Sequence, residues 1–148
     1  MAERKMKIYA LLETLVTSSS LKGVAMRTFT AHRNEDMGSV MVRVFYPNGQ
    51  SMPLVHRVHH SPTGMEWGYS GSGPADLARS ILWEFIGEEP EPALYQKFKD
   101  DFVSVAPYEG FLLQEDEIER WIENEIASWL DGLEQFENHG GLYLESKT

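Results

Sequence analysis

The sequence of 148 residues contains no cysteine, and this absence excludes several kinds of chemistry at once. Disulfide bonds, thiolate nucleophiles and cysteine-ligated zinc all need a residue that the chain lacks. No stretch approaches the roughly 20 apolar residues of a membrane-spanning helix. The most apolar N-terminal segment, residues 8–16, contains Glu13 and lacks the small-residue cleavage site of a secretory signal. These absences predict a cytoplasmic protein with no membrane segment.

Positive charge is also scarce, since 13 Lys and Arg stand against 23 Asp and Glu and the formal net charge is −10. Direct binding to nucleic acid is therefore not expected, because that binding draws its energy from clustered Lys and Arg. Residues 1–74 carry a net charge of +3 and residues 75–148 a net charge of −13. This asymmetry would draw an anionic ligand to the first half and a basic partner to the second. The solvated helix faces of an acidic protein explain the same asymmetry.

The N-terminal half predicts a helix followed by a sheet. Apolar side chains recur at helical spacing in residues 5–16 and a Ser-rich stretch follows, so residues 1–22 are expected to form a helix and linker. From Thr28 the apolar period changes to two, which predicts strands. Asn48–Gly49 has the composition of a tight hairpin turn, and residues 52–58 suit the return strand. The pattern predicts a small antiparallel sheet over about residues 28–60.

The C-terminal half predicts helices. A first helix follows Gly73 and ends at Gly87, and a second, over residues 94–103, stops before Pro107. A third is predicted from Gln114 to Glu137, and the sequence Asn-His-Gly-Gly after it is expected to end it and leave a tail over residues 138–148.

The expected fold is therefore α+β and a single domain. The antiparallel sheet is followed by a Gly-rich loop over residues 61–74 and by three helices over residues 75–137, with the N-terminal helix in front.

The Gly-rich loop is the best candidate for a ligand site. Four glycines fall within residues 64–73, and glycine lets the backbone approach a ligand closely. A helix N-terminus follows, whose free N–H groups suit phosphate or carboxylate. Serine hydroxyls and two flat aromatic rings accompany the glycines. The candidate ligand-binding residues of the loop are Trp67, Tyr69, Ser70, Gly71, Ser72 and Gly73.

Arginines of the predicted sheet could complete that site, because a guanidinium matches two phosphate oxygens at once. Arg43 projects from a strand, and Arg27, Arg33 and Arg57 lie at strand ends. Arg57 and Arg43 are taken as the candidate ligand-binding arginines, and the expected ligand is a small, anionic, nucleotide-like molecule.

The same loop also fits a structural corner between strand and helix. In that alternative Ser72 caps the helix, Asp76 complements its dipole, and Trp67 and Tyr69 fill the core. Both interpretations stay open at this point.

Patterns typical of catalysis are weak. The sequence Gly-Tyr-Ser-Gly-Ser-Gly matches neither a P-loop nor a dinucleotide fingerprint. His56, His59, His60 and Glu66 lack the spacing of a metal site, and no serine lies in a nucleophile-elbow pattern. We therefore expect binding rather than enzymatic activity, with no catalytic residue, no metal and no cofactor.

The loop and the helices after it resemble a known family. The residues concerned are Ser61-Pro62-Thr63-Gly64, Glu66-Trp67-Gly68-Tyr69, Gly71-Ser72-Gly73-Pro74-Ala75, Tyr95-Gln96-Lys97-Phe98-Lys99 and Glu115-Asp116-Glu117-Ile118. They are similar to the signature of small uncharacterised proteins of bacteria, plasmids and phages, over about residues 28–130. Met65 and Ser70 stand where an aromatic residue and a glycine are frequent. The resemblance implies a fold neighbourhood and a mobile-element setting, and it supplies no catalytic residue.

Two functions are consistent with these observations. In the first, the protein sequesters a nucleotide-like ligand, in a phage setting as a counter-defence factor in the host cytoplasm. In the second, the acidic helix Glu115–Glu137, with nine acidic residues and one arginine, blocks a basic or nucleic-acid-binding host protein. A homo-oligomer is compatible with both.

Overall fold

The computed structural model describes the backbone of residues 26–146 and the side-chain surroundings of residues 26–138. The predicted N-terminal helix lies outside the described residues. Within them the chain forms two compact units, residues 26–117 and residues 118–146. The single domain expected from the length remains a prediction, and the α+β fold class is confirmed.

The first unit contains a four-stranded antiparallel sheet, which confirms the predicted sheet. Its strands are β1 (Thr28–Arg33), β2 (Val40–Phe45), β3 (Ser51–Pro53) and β4 (Gly110–Gln114), in the order β3-β2-β1-β4. Phe29 of β1 lies opposite Val44 of β2 and Leu113 of β4, and all three are buried. The outward residues of the same strands alternate with them, as expected for a sheet with one face on the core.

Of the two predictions for the hairpin, the turn is confirmed and the length of the return strand is wrong. The turn at Asn48–Gly49 is confirmed, with Gly49 at φ +87° and its N–H donating to the Tyr46 carbonyl at 3.0 Å. The return strand was predicted too long, because β3 ends at Pro53 and only the Leu54 N–H continues the pairing, to the Val42 carbonyl. The N–H groups of Arg57, His59, His60 and Ser61 bond to side chains of a helix instead.

Strand β4 is absent from the sequence prediction, which assigned no strand between the second helix and the helix expected from Gln114. Gly110 makes the close pairing with β1 possible, since a Cβ there would overlap the carbonyl oxygen of Ala31 and its φ is +141°. The pairing partner lies about 80 residues earlier, so no local pattern indicates the strand.

The helices are α1 (Ser72–Ile86), α2 (Pro92–Phe98) with one π-helical turn after it (Lys99–Val103), and α3 (Glu115–Ser146). Three helices were predicted in these places. α1 ends at Gly87, which has φ +87° and donates to the Trp83 carbonyl. The predicted end of the third helix is wrong, because α3 runs through the glycines at 140 and 141. A glycine costs a helix only about 1 kcal/mol relative to alanine, so the pair does not enforce a stop.

The start of α3 is fixed by acidic side chains. The Glu117 carboxylate accepts the N–H of Gln114 at 2.8 Å, and Glu115 pairs with the Arg27 guanidinium at 2.7 Å. In the unit of residues 118–146, Ile118, Ile122 and Ile126 are buried. No helix in the described part of the chain combines the length and apolar composition needed to cross a membrane.

Candidate functional site

The segment of residues 54–71, which joins β3 to α1, is held by side chains on one face of α1. Asp76 and Ser80 are one helical turn apart, so they lie on the same face. The Ser80 hydroxyl accepts the Arg57 N–H at 2.9 Å. This bond, together with those to Asp76, takes the place of strand pairing. The segment after β3 therefore follows α1 and does not extend the sheet.

Asp76 carries most of that anchoring. Its carboxylate is fully buried and accepts a bond from the His56 ring at 2.8 Å. It also accepts the N–H groups of His59 at 3.2 Å, His60 at 2.8 Å and Ser61 at 3.0 Å. Burial alone would raise the pKa of Asp76, but these donors together hold the pKa below its ordinary value. Asp76 is therefore an anionic anchor for the segment, not the dipole partner of the corner alternative.

The N-cap of α1 also differs from that alternative. The N-cap residue is Gly71, and no side chain caps the helix. Ser72 is the first helical residue, so its hydroxyl is past the capping position.

A stacked arginine marks the other end of the segment. Arg33, at the end of β1, is 7% exposed and its guanidinium lies 4.6 Å from the Trp67 ring centroid and 4.2 Å from that of Tyr108. Its two terminal nitrogens donate to the two carboxylate oxygens of Glu66, at 3.0 and 2.7 Å, and Nε donates to the Tyr108 carbonyl at 3.1 Å. The result is a bidentate ion pair whose guanidinium lies over two aromatic rings.

Each partner of the pair stabilises the charge of the other. The hydrogen bond from Arg33 lowers the pKa of Glu66 against the opposing effect of burial, and the bond to Glu66 raises the pKa of Arg33. Both groups therefore stay charged around neutral pH. Glu66 is a weak base as a consequence, since a general base works best with a pKa near the working pH.

An open cleft of about 300 Å³ lies over this pair. It is lined by Arg33, Glu66, Trp67, Gly68, Tyr69 and Tyr108. Trp67 is only 1% exposed, and its indole N–H donates to the Pro107 and Tyr108 carbonyls at 2.9 and 3.1 Å. Tyr69 and Tyr108 are 51% and 67% exposed. The two tyrosines thus offer accessible ring surface above a charged, internally neutralised floor.

The first turn of α1 lies beside the cleft. A Cβ at Gly73 would come within 2.8 Å of the Glu66 Cβ and 3.2 Å of the Tyr69 hydroxyl, and one at Gly71 within 2.7 Å of the Tyr69 ring. Gly73 is therefore needed for the close packing against Glu66, and Gly71 leaves room for the Tyr69 ring. They bring the N-terminus of a 15-residue helix next to two cleft-lining side chains.

The candidate residues of the sequence analysis fall into two groups. Trp67 and Tyr69 line the cleft, Gly71 and Gly73 pack beside it, and Ser70 and Ser72 are exposed at the start of α1. The two chosen arginines lie elsewhere. Arg43 donates to the Ser51 hydroxyl on the outer face of the sheet, and Arg57 lies over the ring of Trp83.

Arg33, Glu66 and Tyr108 are cleft residues that the sequence analysis did not select. Strand parity carried a usable signal for the first of these. Arg33 shares the inward face of β1 with Phe29 and Ala31, and a charged residue in line with two core residues needs a buried partner.

His56, His59 and His60 have different partners. His56 bonds to Asp76, His60 bonds to the Tyr95 hydroxyl at 2.7 Å, and the His59 ring meets His60 edge-on. Among the described residues, no group of three or more His, Asp or Glu side chains could hold a metal ion.

Comparison with known proteins gives one match. Residues 29–124, more than half of the chain, match a family of unknown function (DUF6166). The matched region contains the whole cleft. No curated protein and no solved structure matches the chain.

Proposed function

The chain belongs to the DUF6166 family, whose function is unknown, and we propose that this member is a binding protein for a small, anionic, nucleotide-like ligand. The observation that carries the proposal is the cleft over the Arg33–Glu66 pair, with the exposed rings of Tyr69 and Tyr108. A concave site with aromatic walls and few polar groups is the usual form of a small-molecule site.

The ring of the ligand would be held by the tyrosines and by Glu66. Stacking on an aromatic side chain stabilises a bound base by about 1–3 kcal/mol. The Glu66 side chain is 33% exposed, so its carboxylate can accept hydrogen bonds from N–H groups at the edge of a heterocycle. This recognition favours a nucleobase over a purely aliphatic ligand.

The anionic group would be held at the first turn of α1. The first intrahelical bond runs from the Ala75 N–H to the Gly71 carbonyl at 3.0 Å. The N–H groups of Ser72 and Gly73 precede it, and they stand at the positive end of the helix dipole. Because Gly73 packs against Glu66 and Tyr69, a ligand with its ring in the cleft could extend a phosphate toward these amides.

Sequestration in the cytoplasm, rather than turnover, is the activity that fits these groups. Glu66 has a lowered pKa and is locked to Arg33, so it is poorly suited to accept a proton from a ligand. A counter-defence role in a phage or mobile element belongs to the same proposal and depends on the resemblance described above. In this role the protein binds the ligand without changing it chemically.

Tyr69→Ala is expected to weaken ligand binding by about tenfold or more and to leave the fold intact, because the ring is half exposed. Isothermal titration with a panel of nucleoside monophosphates and cyclic nucleotides measures the effect. Phe45→Ala is the matched control, since Phe45 is 41% exposed on the outer face of the sheet. Equal affinity in wild type and Tyr69→Ala would contradict the proposal.

The acidic face of α3 supports a second candidate function, the blocking of a basic, nucleic-acid-binding protein. Glu123, Asp131 and Glu134 are exposed on this helix. Charge complementarity mainly accelerates association and makes it sensitive to salt. If this function is correct, the wild type displaces DNA from such a partner at low salt, and the triple variant Glu123→Gln, Asp131→Asn, Glu134→Gln does so much more weakly. Equal displacement by both proteins would rule it out.

A further inference from the structure

Arg57 has a fixed backbone and a side chain that makes no hydrogen bond within the described residues. Its N–H donates to the Ser80 hydroxyl at 2.9 Å, and its carbonyl accepts from the Arg79 guanidinium at 2.8 Å. The Arg57 guanidinium lies over the Trp83 ring, 4.6 Å from the centroid. A guanidinium with no side-chain hydrogen bond keeps its N–H donors available, and two of them can bind an oxyanion through parallel bonds.

A second guanidinium lies over the same indole. Arg79 is 4.8 Å from the Trp83 centroid and 7% exposed. Its partner is Glu89, at 3.1 Å, whose side chain is 67% exposed. An ion pair with so exposed a carboxylate is weak, because water and salt screen it. Two guanidinium groups therefore lie over the Trp83 ring, and the one carboxylate paired with them, that of Glu89, is held weakly.

We propose that Arg57, Arg79 and Trp83 form a binding site for the phosphate group of a small phosphate monoester. A phosphate monoester carries a charge of about −1.5 to −2 near neutral pH, which matches two guanidinium groups better than a single carboxylate does. Its oxygens would accept two hydrogen bonds from the Arg57 guanidinium. They would also replace the Glu89 carboxylate as the partner of Arg79.

This site is separate from the cleft of the proposed function. Trp83 is eleven residues along α1 from Ser72, which corresponds to roughly 16 Å at about 1.5 Å per residue. The inference therefore does not depend on the proposed function, and either can fail without the other.

The test is a titration of the full chain with methyl phosphate, which has no ring to occupy the cleft. The indole N–H signal of Trp83, assigned by its absence in Trp83→Phe, reports binding in 1H–15N NMR spectra. The wild type is expected to show a saturable shift. Arg57→Gln should weaken binding by about tenfold or more, because it removes a charged bidentate contact.

Glu89→Gln is the second variant, and it should strengthen binding several-fold because it removes the competing carboxylate. A gain of affinity cannot come from misfolding. Arg43→Gln is the matched control and should bind as the wild type does, since Arg43 bonds to Ser51 on the sheet. No saturation in the wild type up to roughly 50 mM methyl phosphate would overturn the proposal, as would wild-type affinity in Arg57→Gln.

Discussion

Trp67→Ala is expected to lower the free energy of unfolding by about 3–5 kcal/mol, the usual cost of removing a large buried aromatic side chain. The side chain is 1% exposed and its ring lies edge-on to Phe111. Its indole N–H satisfies the Pro107 and Tyr108 carbonyls, and the Arg33 guanidinium lies over its ring. The substitution removes all four contacts at once. Urea unfolding followed by circular dichroism measures the change.

Trp67→Phe is the matched comparison for this prediction. It keeps one aromatic ring in the core but loses the indole N–H and part of the buried volume, so it should cost less than Trp67→Ala, about 2 kcal/mol. If Trp67→Ala were as stable as the wild type and lost only ligand binding, Trp67 would be a recognition residue and its core role would be wrong.

Asp76→Asn should lower the free energy of unfolding by about 3 kcal/mol or more, as expected when a buried, multiply hydrogen-bonded charge is removed. The amide keeps the shape of the side chain but turns an NH₂ group toward N–H donors. Four donors, from His56, His59, His60 and Ser61, then have a single acceptor oxygen to share. Ser80→Ala, which removes one bond to the same segment, should cost only about 1 kcal/mol.

The pH dependence of stability provides an independent test of Asp76. Its pKa in the folded state is lower than its ordinary value of 3.8, so its contribution is complete above that value and is lost as the pH falls through the folded-state value. The wild type should therefore lose stability more steeply than Asp76→Asn as the pH falls below the ordinary value of 3.8. Parallel curves for the two proteins would show that Asp76 is not an anionic anchor.

The sequence predicts the elements that depend on local patterns. The alternation of residues 40–46 and the turn at Asn48–Gly49 place the β1–β2–β3 hairpins, and the apolar stripe ending at Gly87 places α1. It fails where a distant partner decides. Gly110 and the strand after it become β4 only because β1 offers a free edge, about 80 residues earlier in the chain.

The candidate site was predictable in part for the same reason. The glycines and aromatic residues of the loop are local features, and Tyr69 and Trp67 do line a cleft. Local sequence could not show that Tyr108 closes the same cleft, because it comes from the turn before β4. Nor could it show that Arg33, rather than Arg43 or Arg57, reaches Glu66, because strand register and the path of residues 54–71 decide that.

Asp76 lies near the start of α1, as the sequence predicts, but its role differs from that of a dipole partner. Its place near the start of α1 suggested a dipole partner. The structure turns it toward the connecting segment, where three amides and a histidine meet it. A buried carboxylate binds those donors more strongly than a helix terminus would bind it.

We propose that the cleft over Arg33 and Glu66 binds a nucleotide-like ligand. Native mass spectrometry of the protein, purified from cells and then incubated with nucleotides and cyclic nucleotides, tests it most directly. We expect a bound mass with at least one of them in the wild type and in Phe45→Ala, and its loss in Tyr69→Ala with an unchanged circular dichroism spectrum. No bound mass with any nucleotide, or the same bound mass in Tyr69→Ala, would contradict it.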